Sequence, residues 1–204
     1  FRRVLFRSTY YVRGDGAGSD GNNGHSWATA WATLQQALNT LAGTTPDRPY
    51  RIMVQASSGV QAYDVAYRFG DISQIATEAA WAEMQGGWEN VDSAPAATGY
   101  SRVQDTDGTV NEPGFYWSAT GATHYQGKYF SFSRFQFSNV ADGIVLINQG
   151  GLSSSDIALR LEDTTIAATT NGVFLSHAGA GRVATIATTN VTITGGLGGA
   201  SGDG

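Results

Sequence analysis

Cysteine is absent from this chain of 204 residues, which excludes disulfide bonds, thiolate metal sites and cysteine nucleophiles. Charge is also scarce, since charged residues make up 14% of the chain, against about 25% in an average soluble domain. Lys128 is the only lysine. No apolar run approaches the ~20 residues of a membrane span. The composition therefore excludes helical bundles, coiled coils and transmembrane helices.

Basic residues are outnumbered by acidic residues, 12 to 17, and the net charge is −5. Three arginines lie within residues 1–8, which begin without methionine and do not share the pattern of the following sequence. We interpret residues 1–8 as a cloning or sequencing remnant, and without them the net charge is −8. Because a phosphate backbone requires a basic surface, we do not expect nucleic acid to be a partner.

Glycine is abundant, with 27 residues, and nine phenylalanines, nine tyrosines and five tryptophans can supply a core. This composition predicts many short strands joined by turns, for example at residues 9–12 and 51–56. Residues 71–83 are compatible with either a helix or a strand, and the alternation of residues 82–85 favours a strand at the end of this stretch. One helix is predicted at residues 33–42. Thr33 and Gln36 form a T-x-x-Q capping box. The apolar face of the helix consists of Leu34, Ala37, Leu38 and Leu41, and Gly43 ends it.

An internal repeat in the second half of the chain is the strongest signal in the sequence. Residues 114–117 (GFYW), 143–146 (GIVL) and 172–175 (GVFL) match at shifts of 29. With a further shift of 27, matching residues form three columns: Phe130, Leu159 and Ile186; Phe137, Ile166 and Ile193; and Gly114, Gly143, Gly172 and Gly199. Since a single unit cannot bury its apolar face alone, the units are expected to stack at ~4.8 Å spacing. The repeat therefore predicts a parallel β-solenoid.

The predicted fold is an all-β, single-stranded right-handed parallel β-helix with a short N-terminal capping helix. We expect residues 9–48 to form the first strand, a loop and the helix, and residues 49–204 to form about five coils. The handedness follows from the rule that parallel crossover connections are right-handed. The last repeat stops at residues 201–204 before its strand is complete. We therefore expect the solenoid to be truncated and its open end to favour end-to-end self-association.

Two segments resemble a known family. Residues 10–12 (YYV), a Gly/Asp/Asn-rich loop and residues 26–38 (SWATAWATLQQAL) are similar to the first segment of bacterial extracellular right-handed parallel β-helix proteins, the pectate-lyase-like superfamily. Residues 85–88 (QGGW) resemble a glycine-glycine-aromatic turn found early in such proteins. The resemblance implies the fold and an extracellular or cell-surface location. It implies no single activity, because the superfamily includes lyases, hydrolases, adhesins and passive stalks.

Four candidate catalytic residues occur in the order found in polygalacturonase-like members of that superfamily: Asp142, Asp163, His177 and Arg182. Each departs from the family pattern. An extra residue separates Asn139 from Asp142, Asp163 has no neighbouring aspartate, no glycine precedes His177, and no lysine follows Arg182. The 29-residue shift stacks Asp142 on Asn171, and it stacks Asp163 on Arg134 in an expected surface ion pair. The column of aligned carboxylates that a calcium-dependent lyase requires is absent from the last three units.

Residues 105–112 (DTDGTVNE) form a candidate calcium loop. Oxygen ligands are available from Asp105, Asp107, Asn111 and Glu112, although the third acidic position of an EF-hand loop is missing. Ca²⁺ is therefore the one candidate cofactor.

Several aromatic residues are candidates for stacking on sugars: Trp88, Phe115, Tyr116, Trp117, Phe130 and Phe132. Most are expected in the core, whereas Tyr116 alternates with two inward-pointing neighbours and is expected to face outward. Because the repeat carries no intact acid–base or metal set, we expect a non-catalytic extracellular or cell-surface β-helix module, serving as a stalk, adhesin or glycan-contact surface. The alternative is a polysaccharide lyase or glycoside hydrolase acting on an acidic polysaccharide such as pectin.

Overall fold

The chain folds into a sheet-rich solenoid with one α-helix in its described part. The computed structural model describes residues 8–42, 50–57, 63–64, 68–69, 80–105, 110, 112–119, 128–148, 156–178 and 183–202. The helix is α1 (Leu34–Ala42), and a 3₁₀ turn precedes it at Trp27–Thr29. The strands, in chain order, are β1 (Ser8–Val12), β2 (Tyr50–Gln55), β3 (Tyr63–Asp64), β4 (Arg68–Phe69), β5 (Ala80–Glu89), β6 (Ala96–Ala97), β7 (Ser101–Gln104), β8 (Phe115–Ala119), β9 (Lys128–Ser133), β10 (Phe135–Val140), β11 (Ile144–Asn148), β12 (Ile157–Ala178) and β13 (Ala184–Gly202).

The strands stack in parallel on three faces of the solenoid. Face A contains β1, β2, β5 and β9, followed by the first parts of β12 and β13. Face B contains β3, β7 and β10, followed by the middle of β12. Face C contains β4, β8 and β11, followed by the last part of β12. The hairpin between β5 and β6 is antiparallel. The molecule is therefore an all-β parallel solenoid, as the repeat predicts.

The strand register confirms the two apolar columns of the repeat. Leu159 pairs with Phe130 on one side and with Ile186 on the other. Phe137, Ile166 and Ile193 pair in the same way on face B. Equivalent residues of successive coils therefore lie over one another at the strand spacing of ~4.8 Å.

The prediction that Gly199 continues the glycine column is wrong. Gly199 pairs with Leu175, because two register shifts between Ala167 and Val173 shorten the last coil. Gly195, at a φ of +112°, lies against the backbone of Gly172 instead. The 27-residue shift therefore holds on faces A and B and fails at the corner between faces B and C.

The interior of the middle coils is aromatic. Its side chains are almost fully buried, and most of their ring contacts are edge to face, as between Phe132 and Phe137 at a centroid distance of 5.9 Å. The set consists of Phe115, Trp117, Phe130, Phe132, Phe135 and Phe137. Aliphatic residues continue the core in β12, whereas Ile186 of β13 is 40% exposed. Self-association through the end of the solenoid that β13 forms stays a prediction.

Helix α1 begins at the predicted N-cap. The amide of Gln36 donates to the Thr33 hydroxyl at 3.1 Å, and Leu34, Ala37 and Leu38 are buried. The reciprocal half of the predicted capping box is wrong. The Gln36 side chain bonds Thr40, and the carboxylate of Asp20 accepts the Thr33 amide at 2.9 Å. The Leu41 side chain and Gly43 lie outside the described residues.

No helix in the described part of the chain is long and apolar enough to cross a membrane.

Arg13 connects the N-terminal loop to the coils. The residue is 4% exposed, and its guanidinium bonds Asp15 and Asp92 at 2.6 and 2.7 Å. Asp15 also accepts a hydrogen bond from Gln55 of β2. Hydrogen bonds from Arg13 hold the pKa of Asp15 far below its ordinary value and lower the pKa of Asp92 as well.

Candidate functional site

A cleft of about 410 Å³ lies on the outer surface of face C. Its floor combines aromatic and aliphatic side chains from three adjacent strands, and its polar groups come from the corner between faces B and C. The lining residues are Pro113, Tyr116, Asp142, Val145, Ile147, Asn171 and Phe174. The cleft therefore offers an apolar surface beside a carboxylate and an amide.

The alternation of side chains along β8 explains why an aromatic ring faces the cleft. Phe115 and Trp117 point into the core and are 3% and 0% exposed, so Tyr116 between them points outward. Val145 pairs with Tyr116 on β8 and with Phe174 on β12. These outward residues therefore form a strip that spans two strand spacings, ~10 Å, along the solenoid axis.

The polar side of the cleft is an Asp–Asn pair stacked on successive coils. Asn171 donates its backbone N–H and its side-chain Nδ2 to Oδ1 of Asp142, at 3.0 and 2.9 Å. This contact confirms the predicted stacking of the two residues. Among the described residues, Oδ2 of Asp142 accepts no hydrogen bond, and it is therefore free to accept one from a ligand.

Asp163 lies at a different corner, between faces A and B. Its Oδ2 is 3.6 Å from the Arg134 guanidinium, which confirms the predicted pair, and its Oδ1 accepts a hydrogen bond from Asn190 at 2.7 Å. The backbones of all three residues adopt positive φ, between 45° and 57°. The corner is thus a ladder of polar residues that stabilises the turn of each coil.

Of the four predicted catalytic residues, the structure describes the side chains of Asp142 and Asp163, and these two lie at different corners. Six residues of β10 separate the corner of Arg134 and Asp163 from that of Asp142, roughly 20 Å at ~3.3 Å per residue. Paired carboxyl groups of glycosidases lie about 5–9.5 Å apart. The His177 backbone lies in β12 opposite Asn148. Arg182 lies outside the described residues.

The candidate calcium loop is described in part. Asp105 is 2% exposed, and the Asn139 side chain donates to its carbonyl oxygen at 2.8 Å. The Glu112 carbonyl accepts the amide of Ala141, whereas Asp107 and Asn111 lie outside the described residues. Among the described residues no group of three or more His, Asp or Glu side chains is arranged to hold a metal ion. Calcium binding at this loop stays a prediction.

The other candidate sugar-stacking residues are buried or half-buried. Phe115, Trp117, Phe130 and Phe132 are in the core, and Trp88 is half-buried with its ring 6.2 Å from that of Trp27. Tyr116 faces outward, as expected.

The sequence interpretation missed Val145, Ile147 and Phe174 as cleft residues. A signal was present, because Val145 and Phe174 are apolar residues at outward-facing positions between buried neighbours. A contiguous apolar surface of this kind often marks an interaction site.

Comparison of the chain with protein-family models, with curated proteins and with solved structures finds no match. The function of the cleft is therefore inferred from its own chemistry.

Proposed function

We propose that this protein is a non-catalytic β-helix module of an extracellular or cell-surface protein, and that it contacts a glycan through the face C cleft. The observation that carries the proposal is the pairing of outward aromatic rings, Tyr116 and Phe174, with the polar groups of Asp142 and Asn171 in one cleft. Ligand sites are typically apolar surfaces with a few convergent polar groups.

A sugar ring suits this arrangement for two physical reasons. The C–H groups on one side of a pyranose form an apolar surface that packs against an aromatic ring and buries it from water. The hydroxyl groups at the edge of the ring both donate and accept hydrogen bonds. Oδ2 of Asp142 supplies an acceptor, and the amide of Asn171 supplies a further acceptor in its Oδ1.

The module is proposed to be non-catalytic because, among the described residues that line the cleft, Asp142 is the single carboxylate. Glycoside hydrolysis requires two carboxyl groups, one on each side of the bond. The extracellular location, the stalk or adhesin role and membership of the pectate-lyase-like superfamily belong to the same proposal. They are supported by the resemblance of residues 10–12, 26–38 and 85–88 and by the solenoid fold.

The test measures binding and turnover on the same panel of neutral and acidic oligosaccharides. Isothermal titration calorimetry should detect at least one ligand, and Tyr116→Ala should weaken its binding tenfold or more by removing the stacking surface. Tyr100→Ala is the matched control, since Tyr100 is exposed and does not line the cleft. Equal thermal unfolding of the two variants shows that both fold.

Two results would overturn the proposal. The first is the absence of binding to any oligosaccharide, or binding that Tyr116→Ala leaves unchanged. The second is the release of reducing ends or unsaturated products in proportion to enzyme concentration, because a passive module performs no turnover. Abolition of that turnover by Asp142→Asn would assign the activity to the cleft.

A further inference from the structure

The charge of the cleft distinguishes between classes of glycan. Among the described residues that line it, Asp142 is the one charged side chain and none is basic. The whole chain is acidic as well, with a net charge of −5. We infer that the cleft selects uncharged oligosaccharides and rejects uronate chains, with Asp142 as the residue that sets this specificity. The inference rests on the proposed function.

The hydrogen bonds of Asp142 support this role. Asn171 occupies Oδ1 with two donors at the edge of the cleft, and Oδ2 accepts no hydrogen bond from the described residues. An ionised carboxylate only accepts hydrogen bonds, so its partner must be a donor such as a sugar hydroxyl. A uronate carboxylate is also an acceptor and carries the same charge. It is therefore repelled where a hydroxyl is bound.

The length of the apolar strip indicates an oligosaccharide and not a single sugar. Tyr116, Val145 and Phe174 lie on three successive strands and cover ~10 Å along the axis. A monosaccharide can contact one end of this strip, whereas a chain can contact both aromatic rings at once. Affinity should therefore increase from monomer to short oligomer and then level off.

The experiment compares each neutral oligosaccharide with its own acidic form. The probes are cellohexaose against its C6-oxidised uronate, and the fully methyl-esterified hexamer of galacturonate against the free acid. Each pair has the same backbone and differs mainly in charge. For at least one pair, the neutral member should bind about tenfold more tightly at low salt, a difference of about 1.4 kcal/mol. Added salt should reduce the difference, because it screens the repulsion.

The decisive variant is Asp142→Asn, which removes the charge and keeps a side chain of the same shape. It should reduce the preference for the neutral member to about twofold or less. Asp163→Asn is the matched control, since it changes the net charge equally at another corner, and it should leave the preference intact. Arg68 lies in register with Tyr116 on the preceding strand. Arg68→Gln is therefore made as a further variant, to test whether this arginine recognises an acidic glycan.

The outcomes separate this inference from the proposed function. Preferential binding of a uronate member overturns the inference and leaves the glycan-binding function standing, and loss of that binding in Arg68→Gln would assign the acidic recognition to Arg68. Equal affinities in both pairs also overturn the inference, as does binding of neither pair while other panel members bind. Absence of binding to the entire panel contradicts both proposals.

Discussion

Asn171 donates two hydrogen bonds to one carboxylate oxygen of Asp142 on the neighbouring coil, at 3.0 Å from its backbone nitrogen and 2.9 Å from Nδ2. A backbone hydrogen bond links Asp142 to the coil on its other side, because the Gly114 amide donates to the Asp142 carbonyl at 2.8 Å. This corner joins the fold to the candidate site. It sets the register of faces B and C and places the carboxylate at the cleft.

Replacing Asn171 by alanine should lower the free energy of unfolding by about 1–2 kcal/mol, because a hydrogen bond to a charged acceptor is lost. Urea denaturation gives this value. Thr170→Ala is the control, since Thr170 is exposed and its backbone bond to Ala141 is unaffected. Equal losses in the two variants would contradict the structural role of the Asp142–Asn171 pair.

Gly143→Ala should destabilise the solenoid by about 1–3 kcal/mol or more, because a Cβ at this position would overlap the Ile166 side chain and the carbonyl oxygen of Gly172. The glycine column of residues 114, 143 and 172 therefore requires residues without a Cβ, because the backbones of successive coils approach closely there. Gly21→Ala is the matched control, since its Cβ would have its nearest contact at 3.7 Å. The prediction fails if thermal unfolding gives the two variants the same midpoint.

Stability should fall in acid as the carboxylates of the Arg13 cluster, which consists of Arg13, Asp15 and Asp92, are protonated. In the folded protein, hydrogen bonds from Arg13 hold the pKa of Asp15 and of Asp92 below the ordinary value of 3.8. The unfolded chain therefore binds protons first as the pH falls. This contribution to stability is complete above about pH 5 and decreases progressively below about pH 4.

The test is the urea midpoint of the wild type and of Asp15→Asn between pH 2.5 and 7. Asp15→Asn should lose about 1–3 kcal/mol at pH 7 and show a flatter decline below pH 4. Asp163→Asn should cost less at pH 7, because its contact with Arg134 is longer and Arg134 is more exposed than Arg13. Superimposable pH profiles of the wild type and Asp15→Asn would refute the role of the cluster.

Asp20→Ala should loosen the start of helix α1. The Asp20 carboxylate accepts the amides of Ala32 and Thr33 at 2.9 Å and the Thr33 hydroxyl at 2.8 Å. Loss of a capping side chain typically costs about 0.5–2 kcal/mol. Hydrogen exchange at the first turn of the helix should accelerate, whereas Ala28→Ser, at an exposed position, should leave it unchanged. An unaltered exchange rate in Asp20→Ala would contradict this capping role.

The repeat predicted the fold because burial imposes the same residue type at the same height of every coil. Phe130, Leu159 and Ile186 fall in register for that reason. The repeat predicted the wrong partner for Gly199, because a register shift at a corner produces no recognisable pattern in a sequence so rich in glycine. It also could not show that Asp20 replaces Gln36 in the helix cap, because that contact joins residues 13 positions apart in a loop.

The candidate site was less accessible from the sequence. Asp142 and its stacking on Asn171 were predicted from the 29-residue shift, and so was the outward orientation of Tyr116. The cleft itself depends on Phe174 and Ile147, whose outward positions become apparent when three strands are aligned on one face. A motif search emphasises residues of catalytic type, whereas this site is defined mainly by apolar side chains on the outside of a sheet.

The most direct test of the central claim is an amide chemical-shift titration of the ¹⁵N-labelled protein with an oligosaccharide that binds. Perturbations should cluster on face C, at Tyr116, Val145 and Phe174 and at the corner of Asp142 and Asn171. Amides of face A, such as those of Arg160 and Glu162, should not shift. Perturbations confined to face A or to the hairpin of β5 and β6, or none at saturating ligand, would contradict the assignment of the cleft as the glycan-binding site.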